Sequence, residues 1–351
     1  MTRRCALIPG VTGVVGRGLA RYLAAQQDWE VIGLARHLPH EHTDYPVVAV
    51  DIADAASCRE RLSEFTHVTH VMYCARASHT TSAKEPIELN TAMLRNVIDA
   101  VELVARGFQH VHLVQGSKYY GSDLGPYKTP SKESDPRIGE SNWYYAQEDF
   151  IVERSRGKAW HWSASRPHAI CDGELGIARS IPRTIAVYAA IAKELGQPLY
   201  FPGTSANFHA LYQCVDATLL AKAIAWMSTA PACANEAYNV TNGDFFRWSN
   251  LWPRFAEYFG MPAGPVKSVR LAELMADKAP VWERIVTEHR LRPTSFAQTA
   301  LWPYGDFVFT PGYDIMSDTL KLRQTGFTDC LDTEKMFLGL FQHFRDARII
   351  P

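Results

Sequence analysis

The chain has 351 residues, 47% hydrophobic and 21% charged, with 36 basic against 37 acidic side chains and a net charge of −1. That is ordinary globular composition and excludes a disordered or fibrous chain. No dense basic stripe is present, so nucleic acid is not the expected partner. The seven cysteines (Cys5, Cys58, Cys74, Cys171, Cys214, Cys233, Cys330) are scattered and never form a CxxC pair. They read as reduced thiols of a cytoplasmic protein, not as a disulfide framework or a metal site. No apolar run reaches membrane-spanning length, and Thr2-Arg3-Arg4 leads straight into a short strand, unlike a signal peptide.

Strand and helix signals alternate through the first half. Cys5-Ala6-Leu7-Ile8 reads as a buried strand, and Gly16 to Ala25 as a helix with Leu19, Tyr22 and Leu23 at helical spacing. Strands are expected at Glu30 to Ala35, Pro46 to Val50, Val68 to Tyr73 and His110 to Val114. Helices are expected from about Ala55 to Phe65 and from Ile87 to Arg106. Strands separated by helices imply parallel pairing, with both sheet faces covered. Residues 121 to 141, rich in Gly, Pro, Ser and Lys, read as a long surface loop. A helix from Asn142 to Arg154 and a strand from Trp160 to Arg166 follow. The later half has helices near 180–195, 214–228, 248–259 and 270–276, with short strands such as Ala237 to Val240. The expected class is α/β: a doubly wound parallel sheet with a smaller C-terminal substrate-binding annex.

Gly10-Val11-Thr12-Gly13-Val14-Val15-Gly16 follows the first strand and opens the first helix. Gly10 permits the tight turn, Gly13 lets the backbone approach a pyrophosphate, and Gly16 allows close helix–strand packing. Thr12, Gly13 and Val14 then face the phosphates with the helix N-terminus behind them. This is a Rossmann-type dinucleotide signature. It assigns residues 1–170 to an NADP-binding domain carrying the catalytic groups. Residues 171–351 are mainly the annex, with some segments returning to the sheet. After the second strand, Arg36 and His37 stand where a carboxylate would hold the ribose of NAD, so NADPH/NADP+ is the expected cofactor. Asp51 and Ile52 are placed to meet the adenine edge. Cys74 and Ala75 should pass beside the adenosine ribose and phosphates, and Pro167, Ala169 and Ile170 should close over the nicotinamide carboxamide.

Short-chain dehydrogenases use a tyrosine and a lysine four residues later on one helical face. With Tyr145 as that tyrosine, Glu153 falls where extended members carry a glutamate, but Asp149 takes the lysine position. A carboxylate there disfavours phenolate. Lys118, on the loop after the fifth strand, can supply the cation from the other side. Gln115 and Gly116 occupy the place of the usual serine pair. Tyr144 is the alternative donor, set aside on the register of Glu153.

In these residues the chain resembles the progesterone 5β-reductase and iridoid synthase-like branch of extended short-chain dehydrogenases/reductases. That branch has a Gly-x-Lys-x-Tyr loop, matched by Gly116 to Tyr120, and an Asn-aromatic-Tyr-Tyr helix start, matched by Asn142 to Tyr145. Further similarity lies in Ser165-Arg166-Pro167, Val187 to Ile191, Asn235 to Asp244 and Ile349-Ile350-Pro351. The chain departs from the branch at Gln115, at His37 and in the loop from Gly121 to Ser134. The resemblance implies NADPH-dependent 1,4-reduction of an enone or enal, with Tyr145 at the enolate oxygen and Lys118 assisting. A carbonyl reductase, a sugar-nucleotide-type epimerase and a non-enzymatic NADP(H) sensor are the competing readings. The expected partner is a small hydrophobic carbonyl or enone, with no membrane partner; a homodimer is expected by analogy. Trp143 and Phe208 are candidate substrate contacts, and Tyr304, Phe307 and Phe309 could add to an apolar wall.

Overall fold

Seven parallel strands form one sheet in the computed structural model, which describes residues 3–39, 42–77, 85–139, 141–174 and 179–351. They are β1 (Arg4–Pro9), β2 (Trp29–Ala35), β3 (Val47–Ala49), β4 (His70–Tyr73), β5 (His110–Val114), β6 (His161–Pro167) and β7 (Glu236–Val240). Their order is β7-β6-β5-β4-β1-β2-β3. The order reverses between β1 and β4, so the carboxyl ends of these two strands border a crevice suited to a ligand. Side chains alternate along β1: Cys5 and Leu7 enter one core, Ala6 and Ile8 the other. The first core is closed by α2 (Ala55–Leu62), α3 (Ile87–Val104) and α4 (Trp143–Ser155). The second is closed by α1 (Val14–Ala24) and α6 (Ala217–Met227), the latter contributed by the second half of the chain. No helix among the described residues is long and apolar enough to cross a membrane.

The annex has its own core. Helix α5 (Ile181–Glu194) is buried from Ile181 through Ala192. Around it gather Phe201, Trp248, Trp252, Phe255, Phe337 and Phe341, each at most 1% exposed. The segment 121–141 departs from the expected surface loop. Ser131 is buried and donates its N–H to the Met316 carbonyl at 2.9 Å, while Glu133 accepts the backbone N–H of Asn239 in β7 at 2.7 Å. Part of the loop is thus strapped between the sheet edge and the annex, so its polar groups are satisfied by protein rather than water.

A ladder of neutral histidines lies inside the sheet. His110 Nε2 and His112 Nδ1 both meet Ser163 Oγ at 2.8 Å, and His112 Nε2 meets Ser165 Oγ at 2.9 Å. Burial pushes His70 down to about 4 and His112 down to about 3, and holds His110 well below the usual histidine range. A free histidine titrates near about 6.5, so below that pH the unfolded chain takes up protons that the folded chain refuses. This stability is therefore complete above that value and is lost as pH falls. The midpoint of urea unfolding is expected to drop between about pH 7 and about pH 5, and His112→Gln should flatten that slope. An unchanged slope in the variant would refute the assignment.

Candidate active site

The turn from β1 into α1 is shaped by missing side chains. Gly10 has φ +81°, and a Cβ there would stand 2.7 Å from the Ala75 backbone. A Cβ on Gly16 would run into the Gly10 carbonyl. Gly13 is the extended N-cap of α1 and no side chain caps it. The first N–H groups of the helix therefore point, uncapped, toward the cleft lined by Thr12, Gly13 and Val14.

That cleft encloses about 860 Å³ between the carboxyl ends of the strands and the annex. Its floor includes Cys74, Ala75, Gln115, Gly116, Pro167, Ala169 and Ile170. Arg36 and His37 are exposed just past β2, and Asp51 is exposed beyond β3, with Ile52 buried beside it. These four stand along the β2–β3 edge and do not line the cleft itself.

Lys118 sits in the single helical turn Ser117–Tyr120 after β5. Its Nζ lies 2.8 Å from Glu85 Oε1 and 3.4 Å from Asp123 Oδ2, and all three residues line the cleft. Asn142 joins this turn to α4. Its Oδ1 accepts the Tyr144 N–H at 2.9 Å as the helix cap, while its Nδ2 donates to the Lys118 carbonyl at 3.0 Å. Gly116 leaves room for the phenol: a Cβ there would stand 3.0 Å from the Tyr144 hydroxyl oxygen. Burial pushes the Tyr144 phenol up, Arg76 opposes this, and Glu85 and Asp123 add to the rise, so the phenol stays protonated.

Of the two adjacent tyrosines, Tyr144 lines the cleft and Tyr145, the expected donor, does not. Successive residues of a helix point about 100° apart, so two adjacent tyrosines cannot share one face. Tyr145 turns its hydroxyl to the Tyr119 carbonyl at 2.5 Å and accepts the Ile138 N–H at 3.0 Å. Its ring packs edge-on against Tyr119, away from the cleft. Asp149, four residues past Tyr145, is exposed and paired with Arg137 at 2.7 Å. Trp143 does line the cleft, its ring 4.1 Å from that of Tyr144. Phe208 does not: it packs on Phe201 at 4.7 Å at the margin of the annex core. Phe309 is likewise core, whereas Tyr304 and Phe307 line the wall.

Gln115 borders the cleft, but its amide is committed behind it. Its Oε1 accepts Arg166 Nε at 2.9 Å and its Nε2 donates to Glu148 Oε2 at 2.9 Å. Glu148 also accepts the Tyr119 hydroxyl at 2.8 Å and pairs with Arg166 at 3.0 Å. Burial pushes this carboxyl up, yet Arg166 and the surrounding donors outweigh burial and hold it below the usual range. Sequence reasoning missed His168, Tyr212, Tyr313, Glu85 and Arg179, all of which line the cleft. They come from separated loops with no shared period, so only folding brings them together. Removing one partner of a buried pair strands the other's charge. Glu148→Ala is therefore expected to cost about 3–5 kcal/mol in urea unfolding, and Glu148→Gln less.

A family model described as a PRISE-like Rossmann-fold domain matches residues 49–351. The chain belongs to that family. It is 36% identical to an (S)-8-oxocitronellyl enol synthase of Camptotheca acuminata, over 99% of this chain and 93% of that protein. It is 34% identical to a 3-oxo-Delta(4,5)-steroid 5-beta-reductase of Arabidopsis thaliana, over the same shares of 99% and 93%. Among solved structures, the Bordetella bronchiseptica enzyme WbmG in complex with NAD superposes with a TM-score of 0.69 at 16% identity, covering 99% of this chain and 96% of that one. Thermus thermophilus UDP-glucose 4-epimerase gives 0.65 at 16% identity, with 98% of this chain and 99% of that one covered. These two likenesses concern the fold alone.

Proposed function

We propose that this protein, an oxidoreductase of the PRISE-like family, reduces the activated C=C bond of an enone or enal with NADPH. The observation that carries the reading is the convergence of Lys118 and Tyr144 on one cleft, their segments stapled by Asn142, beside the uncapped start of α1. The printed names of the relatives support it, since a 3-oxo-Delta(4,5)-steroid is itself an enone.

The residues present suit a dinucleotide. The bare N-terminus of α1 fits a pyrophosphate, and Arg36 on the β2 edge fits a ribose 2′-phosphate where no carboxylate follows β2. When bound, the reduced nicotinamide supplies a hydride for the β-carbon. Negative charge then grows on the substrate's carbonyl oxygen, and a preorganised donor is the main requirement there. Tyr144, kept protonated by burial, donates to that oxygen. Lys118 adds positive potential, and its two carboxylates fix the ammonium in place. Trp143, Tyr212 and Tyr304 exclude water from the reacting end. The α-carbon proton comes from water, so no further acid is needed.

NADPH oxidation with a panel of enones and enals tests this. Tyr144→Phe should lower kcat by about 100-fold or more, the scale of losing one oxyanion donor. Tyr145→Phe should keep most of the activity. The reverse ranking would overturn the choice of donor, and aldehyde reduction without enone turnover would favour the carbonyl reductase reading. Arg36→Ala should raise KM for NADPH by about tenfold or more while leaving KM for NADH little changed, the loss of one charge-assisted phosphate contact.

A further inference from the structure

Five charged side chains line the cleft among the described residues: Arg76, Glu85, Lys118, Asp123 and Arg179. Their pairing is unequal. Lys118 reaches both carboxylates, at 2.8 and 3.4 Å. Neither guanidinium forms an ion pair or a side-chain hydrogen bond with any described residue. Arg76 follows β4 on the sheet side, next to the Gly10 turn. Arg179 stands just before α5 on the annex side, its guanidinium carbon 4.2 Å from the centre of the Tyr304 ring. Both side chains are exposed to whatever fills the cleft.

The two cations also feel each other. Burial first, and the charge of Arg179 next, lower Arg76, and both arginines act on the Tyr144 phenol. Two like charges facing one cleft repel, the nearby Glu85 carboxylate offsets this for Arg76 only in part, and an anion between them removes the repulsion. The stacking of Arg179 on Tyr304 leaves its N–H fork free for a planar acceptor, the geometry that suits a carboxylate.

We infer that the substrate of this cleft carries an anionic oxygen group, a carboxylate, bridged between Arg76 on the sheet side and Arg179 on the annex side. This rests on the enone reductase reading and narrows its substrate class. The substrate is an amphipathic enone or enal, its conjugated end at Tyr144 and its acid end at the two arginines. A dinucleotide's phosphate shares the same anionic chemistry, and the test separates the two sources.

The test titrates the NADP+-loaded full-length protein by calorimetry with acetylacrylate and with a longer ω-carboxy enone, each against its methyl ester. At least one acid should bind about tenfold or more tightly than its ester, the scale of one charge-assisted pair. Arg76→Gln and Arg179→Gln should each erase that preference by weakening the acid while leaving the ester within about twofold. When turnover is followed, kcat/KM should show the same pattern. Equal binding of both acids and their esters overturns the inference. So does weaker NADP+ binding in the variants with the acid preference intact, which would assign the anion to the cofactor. A binding preference that depends on both arginines, with no turnover of any enone, supports the anion site and sinks the reductase reading alone.

Discussion

Glu148 reaches back from α4 to Arg166 at the end of β6, 3.0 Å away, and both side chains are almost wholly removed from water. Bringing two charges into the interior costs more than their attraction returns unless the remaining donors and acceptors are also satisfied. Here they are. Gln115 bridges the pair, Tyr119 donates to the carboxylate, and the Arg166 guanidinium lies 3.4 Å from the centre of the Tyr119 ring. Tyr120 takes a further N–H of Arg166 and passes its own hydroxyl hydrogen to Asn239 in β7. The knot thus ties together the loop after β5, the start of α4 and the two strands at one side of the sheet. With α4 fixed in rotation, Tyr144 is the phenol delivered to the cleft and Tyr145 the one delivered to the protein interior.

What was legible in the sequence were features with a local cause. The glycine turn announces itself because Gly10 and Gly16 leave no room for a Cβ, and the strands announce themselves as apolar runs covered on both faces. Lys118 and the loop carrying it were legible as a motif. The choice between two adjacent tyrosines was not, because it depends on the rotation of one helix, and that rotation is set by Glu148 and Arg166 from distant segments. Phe208 was misplaced for a similar reason. A bare list of aromatics in the annex does not say which rings pack on Phe201 and which stop at the cleft. The strapped part of the loop 121–141 was hidden because Ser131 and Glu133 look like solvent-facing residues until β7 arrives beside them.

The cleft combines two characters. Its floor is built of backbone and small residues at the strand ends, as close approach to a dinucleotide requires. Its wall is aromatic and comes from the annex. Sugar-nucleotide epimerases share the scaffold, but scaffold does not fix chemistry. The distinguishing elements here are the lysine on the turn after β5 and the absence of a lysine four residues past the phenol, where the buried Glu148 pairs with Arg166 instead.

Tyr304 and Phe307 hang from the short helix Trp302–Phe309, with their rings nearly parallel. That helix rests on the annex core, whereas Lys118, Tyr144 and their supports belong to the sheet. Floor and wall therefore answer to separate packing constraints. Replacing an aromatic of the wall is expected to change the shape of the cleft without moving Lys118 or Tyr144. Related chains could diverge in diet while keeping one chemistry, and a designer wishing to broaden or redirect this catalyst would begin at those two rings.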